Sequence, residues 1–201
     1  MRSNTSPLKT CLKVAGIFIV CLACIGSATA KTENYRIDSH NSHAFIQFKI
    51  KHLGFSWLYG RFNTFDGTLA LDEKAPENSH IEVTIQTASL DSNHAERDKH
   101  LRGPDFLHVK LYPTAVFKST SVTLTGDKTG MLKGNLTLHG VTRLIEIPIS
   151  YVGGGKDPWG GYRHGFTGST TLTLTDYGIE RDLGPFSTQV ELLLDIETVK
   201  E

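Results

Sequence analysis

Nine histidines are the residues best suited to chemistry in this sequence of 201 residues. Two of them lie within the run Ser92-Asn93-His94-Ala95-Glu96-Arg97-Asp98-Lys99-His100-Leu101, in which His94 and Asp98, and Glu96 and His100, stand four apart. On a helix that spacing puts each pair on one face, where it could hold a metal or move a proton. A zinc or copper site needs three or four converging ligands, and no His-Glu-x-x-His run is present. His40 and His43 form a second close pair with the same shortfall. The expectation is therefore no metal and no cofactor, with these pairs forming a solvated face and an internal salt bridge. Acid–base work by Asp98 with His100 lacks a nucleophile or an oxyanion signature beside it. No Gly-x-Ser-x-Gly elbow, Walker loop or dinucleotide fingerprint is found. Gly153-Gly154-Gly155 precedes no helical pattern, so it reads as a hairpin end rather than a phosphate cradle. Catalysis is not expected.

The elements that must position these residues begin after a processing segment. Arg2, Lys9 and Lys13 give a positive start, Val14 to Gly26 carries no charge, and Ala28-Thr29-Ala30 offers a small-x-small site before Lys31. That order predicts a secretory signal peptide over 1–30, cleaved after Ala30. The apolar run falls short of the ~20 residues of a spanning helix, so stable membrane insertion is not expected. The competing reading, a lipid on Cys24, meets a poor lipobox in Cys21-Leu22-Ala23. Removing 30 residues from 201 leaves 171, with 18 bases against 21 acids and a formal charge of −3. Cys11, Cys21 and Cys24 all leave with the segment, so the domain over 31–201 has neither disulfides nor thiol chemistry. The balance of Lys+Arg 21 against Asp+Glu 21 in the whole chain argues against a nucleic-acid partner.

The domain itself alternates. Ala44, Ile46, Phe48 and Ile50 interleave with Phe45, Gln47, Lys49 and Lys51, a period of two with one dry and one mostly wet face. Ile81, Val83 and Ile85 repeat the pattern, as do Val190, Leu192, Leu194 and Ile196. Weaker alternation runs over 65–71, 115–118, 121–125, 131–138, 144–151 and 166–174. Turn chemistry at Asp66-Gly67, Gly126 to Gly130 and His139-Gly140 separates these runs. About eight or nine strands on short links predict an antiparallel sandwich or barrel. Leu53 to Arg61 reads as a tight loop or short helix. Ser92 or Asn93 would cap a short helix that Gly103-Pro104 ends, with another turn at Asp105-Phe106-Leu107. An eight-stranded barrel either fills with side chains or holds one small ligand.

Several strings, taken jointly, resemble the YceI family of bacterial secreted proteins, also described as polyisoprenoid-binding and lipocalin-like. They are Tyr35-Arg36-Ile37-Asp38, HAFIQFKIKHLGFSWLYGRF from His43, NHAERDKHLRGPDFL from Asn93, YPTAVFKS from Tyr112, GNLTLHGVTR from Gly134, DPWGGYRHGF from Asp157 and DLGP from Asp182. The resemblance spans residues 33–199 in order. Where many members carry Arg-x-Asp-Phe-Gly, this chain has Leu174-Thr175-Asp176-Tyr177-Gly178.

The resemblance implies an all-β, extended eight-stranded antiparallel barrel with one or two short helices. It also implies a periplasmic address, and a long isoprenoid or other amphiphilic lipid inside the barrel. It further implies that Arg97, Asp98, His100, Leu101 and Phe106 brace the barrel mouth, in a structural or a ligand-contacting role. First and last strands commonly meet in a closed barrel. The stripes Ala44, Ile46, Phe48, Ile50 and Val190, Leu192, Leu194 are therefore expected side by side, facing a lipid tunnel with Phe106, Phe117 and Phe166. Two other functions stay open. One is an enzyme or redox partner of a quinone-like lipid, marked by histidines and carboxylates converging in a ligand-lined cavity. The other is a stress-related scaffold, marked by a filled interior. A homodimer is also left open.

Overall fold

The apolar stripe from Ala44 to Ile50 folds as a strand because its alternation can be satisfied only by a sheet with one dry face. In the computed structural model, which describes Met1 and residues 32–41 and 43–201, every long alternating run does the same. The expected signal peptide lies outside the described residues, apart from Met1.

Eleven strands make eight staves of one closed antiparallel meander. β1 (Glu33–Ile37) and β2 (Phe45–His52) are two halves of the first stave. β3 (Ser56–Phe62) and β4 (Phe65–Leu71) share the second, and β5 (His80–Gln86) and β6 (Leu90–Asp91) the third. The remaining staves are single strands: β7 (Thr114–Gly126), β8 (Thr129–Leu138), β9 (Val141–Lys156), β10 (Tyr162–Thr173) and β11 (Gln189–Lys200). Each stave pairs with the next, and β11 closes the ring by pairing with both β2 and β1. Closure removes the unpaired edges that an open sheet would expose.

One helix, α1 (Ala95–Leu101), sits in the long link between β6 and β7. Its N-cap is His94, whose Nδ1 accepts from the Arg97 amide at 3.2 Å, rather than Ser92 or Asn93. Ser92 is committed to Asp98 instead, and Asn93 adopts a left-handed φ of 60°. The expected pairs within the helix do not form: Asp98 turns inward to Ser92, and His100 Nε2 pairs with Asp105 at 3.1 Å.

Three other expectations need correction. Leu53 to Arg61 is mostly strand, because Leu58 and Phe62 find apolar neighbours and each residue from Ser56 to Phe62 has a β2 partner. Only Leu53 to Phe55 turn. Asp66-Gly67 lies inside β4, and Gly153-Gly154-Gly155 inside β9, where their partners are Thr84, Val83 and the β10 residues Gly165, His164 and Arg163. Turn-prone residues lost to the ladder partners that the neighbouring strand supplies. By contrast, His139-Gly140 is a two-residue hairpin turn with φ of 51° and 76°, the handedness that follows strand twist.

Two glycines let aromatic rings lie flat on the inner wall. A Cβ at Gly60 would come 2.2 Å from the Phe48 ring, and one at Gly134 would come 2.4 Å from the Phe117 ring. Phe48 and Phe117 thus join a core that includes Ile37, Ile46, Phe65, Ile85, Leu136 and Leu172.

Candidate functional site

Val190 stands opposite Ile50, Leu192 opposite Phe48, and Leu194 opposite Ile46, so the two apolar stripes lie side by side. Their reverse faces carry Lys49 and Glu191, paired at 2.9 Å, with the Lys49 ammonium 5.1 Å from the centre of the Trp57 ring. The inner faces border two cavities. One, of about 400 Å³, is walled by Ile46, Val83, Phe117, Phe166, Leu192 and Leu194 among others. The second, of about 310 Å³, is walled by Ile46, Phe48, Ile50, Phe106, Val190 and Leu192 among others. Ile46, Ile85, Leu136 and Leu192 are walls of both, which places the two end to end along the barrel. Ala44 is buried in the same core but lines neither. Burying apolar surface contributes roughly 25 cal/mol per Å², so such walls favour a hydrocarbon over water.

The α1 segment closes onto the smaller cavity. Arg97, His100, Leu101 and Phe106 line it, and the His100 and Phe106 rings meet edge to face at 5.0 Å. Asp98 points away from the cavity, buried, and accepts from the Ser92 amide at 2.9 Å and from the Ser92 hydroxyl. Arg97 donates to Ser92 Oγ at 2.7 Å and to the Ser92 carbonyl, and Arg102 donates to the Leu90 carbonyl. These bonds fasten the helix to β6 and the residue after it, so Asp98 and Arg97 brace, while Arg97 also lines the cavity with His100 and Leu101. Leu174, standing where related chains are expected to carry arginine, lines the same cavity.

The larger cavity ends differently. His164 on β10 is buried among Tyr35, Tyr151, Tyr162 and Phe166. Its Nδ1 lies 3.0 Å from the Tyr151 hydroxyl, and its Nε2 lies 3.1 Å from Glu73 Oε1 and 3.3 Å from the Tyr35 hydroxyl. Burial pushes both phenols up, Tyr35 further because it also bonds Glu33. Sequence reasoning missed His164 and Glu73. The available signal was His164 standing two residues before Phe166, on the same face of a strand.

A second polar group sits at the seam. Arg163 Nη1 lies 2.5 Å from Asp38 Oδ2 and 2.6 Å from Glu197 Oε1, and its Nε lies 2.6 Å from Asp157. Burial alone would raise the Asp38 carboxyl. Hydrogen bonds from Arg163, His43 and Asn41 outweigh it and hold the group down at about 2. Asp38, His43 and Glu197 approach closely enough to hold a metal ion, but the Arg163 guanidinium lies against both carboxylates and supplies the positive charge there.

A closed eight-stranded meander with an apolar lumen, one capping helix and polar groups near its ends is a lipocalin-type barrel. The chain belongs to the YceI family: the YceI-like domain matches residues 35–198. A UPF0312 protein of Pseudomonas aeruginosa is 56% identical over 172 residues, covering 86% of this chain and 90% of that protein. One from Pectobacterium atrosepticum is 50% identical over 193 residues, covering 96% and 98%. Among solved structures, the Campylobacter jejuni YceI protein has a TM-score of 0.69 at 26% identity, covering 76% of this chain and 91% of that one. A polyisoprenoid-binding domain from Saccharophagus degradans shares the fold, with a TM-score of 0.63 at 15% identity over 85% of this chain and all of that one. Among the described residues, no helix is long and apolar enough to cross a membrane.

Proposed function

We propose that this protein is exported to the periplasm and binds or carries a long isoprenoid or another amphiphilic lipid within its barrel. The observation that carries the reading is the pair of adjoining apolar cavities bounded by Ile46, Ile85, Leu136 and Leu192. A buried hydrocarbon contributes roughly 0.8 kcal/mol per methylene, offset by the freedom the chain loses. The Saccharophagus degradans neighbour, by its description a polyisoprenoid-binding domain, supports the ligand class. A scaffold with a filled interior is disfavoured by the same cavities. The reading as an enzyme or redox partner of a quinone-like lipid has one observation in its favour, the convergence of His164 and Glu73 at the end of the larger cavity.

Mass spectrometry of an organic extract of protein purified from the periplasm tests the ligand. A prenyl or other long-chain amphiphile in near-stoichiometric amount is expected. A barrel free of extractable lipid after such purification would overturn the proposal. Export has its own check. N-terminal sequencing of the exported protein should begin at Lys31, because the charged, apolar and Ala-x-Ala segments stand in the order that signal peptidase reads. A retained leader, or a lipid on Cys24, would contradict this.

A further inference from the structure

The mouth of the smaller cavity carries exposed apolar residues that the lumen does not bury. Leu53 and Phe55 project from the β2–β3 turn, Phe55 at 87% exposure, and Phe186 joins them from the link before β11. The Phe186 ring lies against Gly54, and the Ser187 hydroxyl donates to the Lys51 carbonyl at 2.6 Å, so the two segments form one tip. Trp57 and Tyr59, opposite Lys51 and Lys49, extend the cluster along the outer face. Leu53 holds a left-handed φ of 53°, which is costly for a bulky residue. Such strain at an exposed side chain points to function rather than packing. Lys51, His52, Leu53 and Ser187 are also walls of the smaller cavity. Leu53 touches both that cavity and solvent, so the cavity opens at the tip.

The titratable walls of this cavity are Lys51, His52, Arg97 and His100, with no acid among them. His100 pairs with Asp105, which also lies 3.7 Å from Arg181. Lys49 and Arg61, on the outer face, pair with Glu191 and Asp91. Glu180 and Asp182 are exposed in the link to Phe186, with Asp182 turned to the Gly184 amide at 2.7 Å. Lys51 and Arg97 have no carboxylate partner among the described residues. The Lys51 ammonium stands instead 5.7 Å from the centre of the Trp57 ring. Tryptophan and tyrosine beside lysine, with leucine and phenylalanine at the tip, is the order that a boundary between water and lipid selects. A second copy fits less well, because a two-fold axis through the tip would set Lys51 against its own counterpart.

Building on the lipid-carrier reading, we infer that this tip docks on the surface of an anionic phospholipid bilayer. Leu53, Phe55 and Phe186 enter the acyl boundary, Trp57 and Tyr59 lie at headgroup depth, and Lys51 meets the phosphates. The mouth of the smaller cavity then faces the bilayer, and a hydrocarbon chain passes between bilayer and lumen without crossing water.

The test is flotation of the exported, purified protein with vesicles of phosphatidylethanolamine and phosphatidylglycerol, beside vesicles of phosphatidylcholine alone. The anionic vesicles should carry more protein. Joint replacement Phe55→Ser and Phe186→Ser should weaken binding about tenfold or more. Both residues are exposed and neither walls a cavity, so melting temperature and lipid recovered in an organic extract should match the parent. Trp159 is also exposed, on the β9–β10 turn at the opposite end of the barrel, and Trp159→Ser should bind as the parent does. In Trp159→Phe the single remaining tryptophan is Trp57, whose emission should shift to the blue on the anionic vesicles. A parent that does not float, equal binding to both vesicle types, binding that survives the double replacement, or a loss shared by Trp159→Ser overturns docking and leaves lipid carriage intact. So does a dimer, read by analytical ultracentrifugation, that the double replacement splits, because a second copy would then cover the tip. A protein that floats as expected but yields no extractable lipid upholds docking and overturns carriage.

Discussion

Replacing Arg163 with alanine should cost about 3–5 kcal/mol of stability, because it strands a buried carboxylate. Asp38 is fully buried, and Arg163 is its strongest partner, at 2.5 Å. For a domain of this size each kcal/mol lowers the melting point by roughly 2–4 °C, so a drop on the order of 10 °C is expected. The pH dependence gives the loss a signature. The folded Asp38 carboxyl sits at about 2, below its ordinary 3.8. A depressed carboxyl contributes its full stability above the ordinary value and loses it as pH falls through the folded one. The gap between parent and Arg163→Ala should therefore be widest at neutral pH and narrow between about pH 4 and pH 2. Thermal melts of both proteins across that range would read it. Equal melting points, or a gap that ignores pH, would show that the seam is held by something else.

Phe48→Ala and Leu192→Ala should each cost ~2–5 kcal/mol and reduce lipid retention. Both side chains face the lumen, opposite each other across the β2–β11 pairing. Phe48 also covers the backbone of Gly60, where no side chain of its own could fit. Lys49→Ala is the matched control on the outer face. It removes a partly exposed ion pair with Glu191, a change worth about 0–1 kcal/mol. The paired readouts are melting temperature and lipid recovered in an organic extract. Loss of lipid from Lys49→Ala, with retention in the two lumen variants, would mean that the tunnel has been placed on the wrong face.

The staves were legible in the sequence wherever one face is dry and the other wet, as in Ala44 to Lys51, because period-two alternation records a two-sided environment. β3 was hidden for the converse reason. Trp57 and Tyr59 are exposed aromatics, so its hydrophobicity does not alternate with burial. Gly153 to Gly155 carry no side chains at all and cannot reveal a strand by periodicity. The apolar walls of the cavities followed from the alternation, although not Ala44, whose small side chain is packed away in the core. The polar end did not follow. Glu73 lies in the link between β4 and β5, and His164 lies about ninety residues later in β10. Their meeting depends on barrel closure, which local spacing does not encode. A local alternative misled the helix reading: His94 and Asp98 stand at helical spacing, but His94 caps the helix and Asp98 is bound to Ser92.

The meander order also dictates how the chamber comes into being. Each stave bonds to its neighbour in the chain, so most of the wall can assemble from local contacts with modest loop-closure cost. The last joint is different. It ties the first stave, residues 33–52, to Gln189–Lys200, across nearly the whole domain. Until that final stretch arrives, the wall is an open apolar trough, with β10 unpaired along one side and β1 and β2 along the other. Truncation before β11 would therefore not yield a smaller container. It would yield a sheet with two bare edges, a form prone to sticking to its own copies.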